Sequence, residues 1–153
     1  MSVVTGGAGF IGSAIIWALN EKGIDDILVV DNLGRSDKWK NLVNRRYAHY
    51  MHRDEFLDTI LKAGLPRKPR AIIHMGACSS TTERDAEFLM RNNLRFSQEV
   101  CRYALKVGAR FIQASSAATY GDGSQGFSDD PTLAFRLRRS PCAFLSFPRK
   151  PRG

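Results

Sequence analysis

The sequence predicts an α/β fold, a doubly wound parallel sheet, on three observations. A β-branched run, Ser2-Val3-Val4-Thr5, stops at Gly6 and gives way to a helical period. A second, wholly apolar run closes on Asp31. Further strand-like runs then alternate with helical ones as far as residue 114. Over residues 10–22 the apolar side chains of Ile11, Ala14, Ile15, Ala18 and Leu19 fall at the spacing of one helix face, the face expected to meet the core. Gly23 stands where a left-handed helix cap is wanted. Ile27-Leu28-Val29-Val30-Asp31 has no polar alternation, so it reads as a strand covered on both sides. Strand, turn, helix and strand make a βαβ unit, from which parallel pairing and a right-handed crossover follow.

The later elements are softer in outline. A helix is expected over residues 38–44, a weak strand over 47–50, an amphipathic stretch over 55–63 and a basic, proline-bearing turn over 66–69. Ala71-Ile72-Ile73-His74-Met75 is another buried-type strand, with His74 expected to be satisfied within the core. Residues 83–107 form one long helix with Leu89, Phe96, Val100 and Ala104 on its apolar side, and residues 110–114 form a fifth strand. Five strands with intervening helices describe a Rossmann-type sheet taken just past its middle.

A length of 153 residues suits one domain, and 43% hydrophobic with 25% charged residues excludes wholesale disorder, a collagen-like repeat and a membrane bundle. The formal charge of +8 is uneven, because residues 131–153 carry six basic residues and no acid. That tail, with Phe135, Phe144 and Phe147 among its arginines, reads as a solvated terminus, and no nucleic-acid partner is expected. Cys78, Cys101 and Cys142 are widely spaced and odd in number, and His49, His52 and His74 have no ligand spacing, so neither a disulfide framework nor a metal site is expected. No apolar run reaches the roughly 20 residues that span a bilayer, and no leader pattern opens the chain. The expectation is a cytoplasmic protein without a membrane partner.

Between the first strand and the first helix lie Gly6, Gly9 and Gly12, with Phe10 and Ile11 at the helix opening. A tight turn needs a residue that accepts positive φ, close approach of a diphosphate needs backbone without a Cβ, and helix-to-strand packing needs a small residue one turn in. Free amides and the helix dipole then attract the diphosphate. Asp31 ends the second strand 19 residues past Gly12, where a carboxylate accepts ribose hydroxyls. A lone carboxylate there favours NAD, whereas the cations that follow Asp31 and Asn32, namely Arg35, Lys38 and Arg53, favour NADP. The small-residue turn Met75-Gly76-Ala77-Cys78-Ser79 leaves the fourth strand at its carboxyl end, where a cofactor's ribose and nicotinamide lie, and Ser79 or a neighbouring hydroxyl also suits a helix N-cap. Ala114-Ser115-Ser116-Ala117 offers hydroxyls in the same way after the fifth strand.

The glycine loop, the Gly76-Ala77 turn, Asn92 on the long helix and the Ser115-Ser116-Ala117 turn together resemble the extended short-chain dehydrogenase/reductases, the nucleotide-sugar epimerases and dehydratases. The resemblance covers residues 1–130, and its specific part is the cysteine-bearing run Gly76-Ala77-Cys78-Ser79-Ser80-Thr81-Thr82-Glu83, which few members carry. It implies a tightly held NADP, with NAD as the alternative, that oxidises a nucleotide sugar transiently and returns the hydride to the opposite face. It also implies that Asn92 and Cys78 line the cofactor, that Ser116 assists at the substrate oxygen, and that the complete enzyme is a homo-oligomer. The family's base is the tyrosine of a Tyr-x-x-x-Lys pair, and none of Tyr47, Tyr50, Tyr103 or Tyr120 has a lysine four positions on.

Residues 1–130 are therefore expected to be an incomplete dinucleotide-binding domain, and residues 131–153 an irregular tail of out-of-frame or truncated origin, with the sugar-binding domain absent. Such a chain is expected to be inactive as written and poorly soluble, its sheet lacking a covering layer. A non-catalytic dinucleotide-binding module is the alternative that the missing base favours.

Overall fold

A computed structural model describes residues 1–80, 82–115 and 126–127. Residues 1–113 form one compact unit built on a five-stranded sheet. The strands are β1 (Ser2–Thr5), β2 (Ile27–Asp31), β3 (His49–His52), β4 (Ala71–His74) and β5 (Arg110–Gln113), in the order β3-β2-β1-β4-β5 and all parallel. This is the doubly wound, Rossmann-like arrangement that the alternation of elements predicts. The switch in winding direction falls at β1, the centre of the sheet, so the loops after β1 and β4 open side by side at the strands' carboxyl ends.

Alternation along the buried strands divides the core in two. Val3, Leu28, Val30 and Ile72 pack with Phe56 and Ile60 of α2 (Arg53–Lys62) and with Phe96, Val100, Tyr103 and Ala104 of α4 (Phe96–Val107). Val4, Ile27 and Val29 pack on the opposite face with Ile16 of α1 (Phe10–Asn20) and Leu42 of a 3-10 helix (Asp37–Leu42). Tyr103 also accepts the Leu65 N–H through its hydroxyl at 2.9 Å, joining α4 to the turn before β4. Tyr103→Phe is expected to cost about 1 kcal/mol, the usual net worth of one hydrogen bond, read by urea unfolding.

Four expectations change. The buried residues of α1 are Gly12, Ser13, Ile16 and Asn20, while Ile11, Ala14 and Ala18 are exposed and Ile15 and Leu19 half-buried. This helix is apolar almost all round, so its period fits several faces, and the polar anchors decide. The Asn20 amide donates to Ile24 O, Asp25 and Arg46 O, and Arg45 donates to Ser13 O. The long helix of residues 83–107 is instead three consecutive segments, α3 (Ala86–Leu89), a π-helical turn (Met90–Arg95) and α4. Its N-cap is Asp85, whose carboxylate accepts the Phe88 N–H at 2.9 Å, so Ser79 does not cap it. The helix of residues 38–44 is the short 3-10 turn already named.

No helix among the described residues is long and apolar enough to cross a membrane. Trp17 and Leu105 are nonetheless exposed, and so is Ile112 on β5. Analytical ultracentrifugation of the chain is expected to show concentration-dependent self-association rather than a clean monomer.

Candidate functional site

The site begins where two loops lie back to back. Gly6 has φ +66°, and a Cβ on it would fall 2.8 Å from the main chain of Gly76. Only glycine meets both demands. A Cβ on Gly12 would come 2.1 Å from the Gly6 oxygen, so the third glycine lets α1 close onto the turn itself rather than onto a strand. Gly9 is the N-cap of α1, which has no side-chain cap and no acid in its first turn. Phe10 and Ile11 are exposed there, and the orphan amides of the first turn meet no capping side chain. The positive end of the helix is thus open to an anion.

Asp31 fastens this loop to the sheet. Its Oδ2 accepts the Ala8 N–H at 2.9 Å, and its Oδ1 accepts the Asn32 N–H at 2.7 Å and the Lys38 ammonium at 2.6 Å. Asn41 donates to the Ala8 carbonyl at 2.9 Å, so both main-chain groups of Ala8 are held by side chains. A carboxylate offers about four acceptor positions, and three here are committed, leaving one for a ligand hydroxyl. Asn32 is exposed and accepts the Gly34 N–H through its side chain. The Tyr50 hydroxyl donates to the Asp31 carbonyl at 2.8 Å, and burial followed by the nearby Asp31 charge raises its pKa.

On the other side of the switch point, Met75 and Gly76 remain tied to β1. The Met75 N–H donates to the Thr5 carbonyl at 3.0 Å and the Gly76 N–H to the Thr5 hydroxyl at 3.2 Å. Ala77 and Ser79 are exposed, and Cys78 is half-buried. Arg53 and Asn92, 39 residues apart, meet directly, the guanidinium donating to the Asn92 side-chain oxygen. Arg53 also donates to Asp54 at 2.8 Å, and that hydrogen bond holds the Asp54 carboxyl below its ordinary range. Ser116, the expected catalytic hydroxyl, lies outside the described residues.

Several residues here carry weak signals in the sequence. Asn93, beside Asn92, bonds both main-chain groups of Cys78. Thr5, His74 and Ser97 form a hydrogen-bonded chain beneath the loop, and burial lowers the His74 pKa to about 4. A histidine closing an apolar strand and the repeated asparagine are the two clues that a reader of the sequence has. Away from these loops, an open groove of about 850 Å³ runs beside the 3-10 helix, lined by Trp39, Val43, Tyr47 and Tyr50 among others. It contains none of the glycine-loop residues.

The chain also resembles proteins of known name. The chain is 66% identical over 138 residues to the ADP-L-glycero-D-manno-heptose-6-epimerase of Nitratidesulfovibrio vulgaris strain Hildenborough, covering 90% of this chain and 43% of that protein. It is 47% identical over 130 residues to the enzyme of the same name from Fusobacterium nucleatum, covering 85% of this chain and 39% of that one. The crystal structure of the Helicobacter pylori ADP-L-glycero-D-manno-heptose-6-epimerase superposes with a TM-score of 0.67 at 25% identity, over 89% of this chain and 47% of that one. The chain therefore spans less than half the length of the curated relatives it matches. The sequence profile of one family runs through residues 2–144, nearly the whole chain and every strand of the sheet, and on that match the chain belongs to the NAD dependent epimerase/dehydratase family.

Proposed function

We propose that residues 1–130 are the NADP-binding part of an enzyme that inverts C6 of an ADP-heptose by transient oxidation, an activity that serves lipopolysaccharide precursor synthesis. The observation that carries the proposal is the pairing of Gly6 with Gly76, which sets an uncapped helix opening beside a second loop at the switch point, in a chain 66% identical to an epimerase of that name. In this reading Gly6, Gly9, Phe10, Ile11 and Gly12 hold the diphosphate. Asp31, Asn32 and Lys38 hold the adenosine ribose, and residues 75–79 with the Arg53–Asn92 pair line the other half. Hydride acceptance and return is the chemistry that a nicotinamide supplies when bound. The chain's own residues bind and orient it, and Ser116 is the hydroxyl assigned to the substrate oxygen.

The family description names NAD, and the choice between the two cofactors turns on Lys38. Its ammonium neutralises Asp31 at 2.6 Å and is about one-third exposed, so a 2′-phosphate meets a cation rather than a bare carboxylate. Calorimetric titration of the chain with each dinucleotide tests this. NADP is expected to bind more tightly than NAD, and Lys38→Ala is expected to weaken NADP about tenfold while changing NAD by less than about threefold. Equal losses for both would place Lys38 away from the phosphate, and no binding of either would end the reading.

A second reading, a dinucleotide-binding module without catalysis, is favoured by the absence of a Tyr-x-x-x-Lys pair from the 153 residues. Turnover of ADP-heptose by the purified chain decides for the enzyme, and binding without turnover for the module. The complete enzyme is expected to be a homo-oligomer.

A further inference from the structure

The donors and acceptors around His74 can be assigned one by one. Ser97 has a single proton, and its hydroxyl donates to the Asn93 carbonyl at 2.6 Å. Toward His74 Nε2, 2.7 Å away, the same oxygen has only lone pairs to offer, so Nε2 carries the ring proton. In the neutral ring Nδ1 is then an acceptor, and it takes the Thr5 hydroxyl proton at 2.6 Å. With its proton committed, Thr5 Oγ1 accepts the Gly76 N–H. The direction is fixed throughout, from Gly76 to Thr5, His74, Ser97 and the Asn93 carbonyl.

Asn93 then turns back to the same loop. Its side-chain oxygen accepts the Cys78 N–H at 2.8 Å, and its amide donates to the Cys78 carbonyl at 2.9 Å. The circuit leaves the loop at Gly76 and re-enters it two residues later. Asn93 lies in the π-helical turn Met90–Arg95, an irregularity of the kind that recurs at functional sites. Phe96 and Phe111 pack against the imidazole, with ring centroids 5.6 and 6.1 Å away.

We propose that this closed circuit, with His74 as its neutral Nε2–H joint, is a positioning device that sets the main chain of residues 76–78 for the ribose and nicotinamide half of the dinucleotide. The ligand in this statement rests on the reading given under Proposed function, and the tautomer does not. His74 and Ser97 act through the loop and are positioning residues.

Nitrogen-15 NMR of the 153-residue chain at neutral pH reads the tautomer without any ligand. A protonated Nε2 beside an accepting Nδ1 is expected, and the opposite tautomer, or a ring averaging the two, overturns the circuit. The positioning role is read by titrating NADP against 2′,5′-ADP, which contains only the adenosine half. Ser97→Ala strands the Nε2–H and is expected to weaken NADP about tenfold and 2′,5′-ADP by less than about twofold. Ser97→Thr, which restores a hydroxyl, is expected to recover NADP binding. An equal loss for both ligands, or none for NADP, overturns the positioning role. A wild-type chain that binds neither ligand overturns the dinucleotide reading and that role with it, while the NMR result still decides the circuit.

Discussion

Gly12→Ala is expected to reduce dinucleotide affinity at least about a hundredfold, the equivalent of losing two good hydrogen bonds to the diphosphate. A methyl group at this position would sit 2.1 Å from the Gly6 oxygen and 2.8 Å from the Gly7 Cα, both of them main-chain atoms that have no rotamer in which to escape. Relief requires α1 to lift by more than an ångström or the turn to open. Either movement shifts the first-turn amides away from the geometry in which they would meet an anion. Overpacking of this kind costs about 2 kcal/mol of stability, so the folded protein should survive with a melting temperature lower by roughly 4–8 °C. Calorimetry with NADP and a thermal melt on the same preparation check both parts. An alanine variant that folds and binds within threefold of the parent would remove the diphosphate from this loop.

Acid is expected to cost the chain about 3 kcal/mol between pH 6.5 and pH 4 through His74 alone. Burial holds its folded pKa near 4, against an ordinary value of 6.5. Within that window the unfolded chain binds a proton that the folded ring refuses, so stability falls as pH falls, by about 1.4 kcal/mol for each pH unit. The contacts of the ring are two hydroxyls and two phenyl rings, none of them charged, so no neighbour compensates. Above pH 6.5 the contribution is complete and flat. Urea unfolding across pH 4 to 8 should show the slope, and His74→Phe, which keeps the stacking, should abolish it even where its own stability is lower. Asp54, with its pKa lowered by Arg53, loses its contribution only below the usual carboxylate range and cannot supply the same slope.

What was readable in advance was local. The glycine spacing fixed where the chain turns, because Gly6 and Gly12 occupy places that a Cβ cannot share. Asp31 at the end of an apolar run marked the carboxyl edge of β2, and β2 and β4 followed from continuous apolar stretches, whereas the edge strands β3 and β5 carry polar residues and gave a fainter signal. The charge after β2 was legible as a set of cations, but their partners were not: Lys38 spends its ammonium on Asp31 and Arg53 bonds Asn92.

The amino-acid sequence by itself determined the order of strands and helices and the glycine turn, since each depends on residues within one turn or one strand of each other, and several such local motifs together carried the family resemblance. Only the tertiary structure decided which side of α1 is covered, because a helix apolar almost all round satisfies a 3.6-residue period in more than one orientation and the Asn20 and Gly12 contacts choose among them. It alone joined Gly76, Thr5, His74, Ser97 and Asn93, which come from the loop ends of two strands and the start of a helix. A hydrogen bond needs its partners within about 3 Å, and no periodicity in a chain encodes which distant residues will come that close.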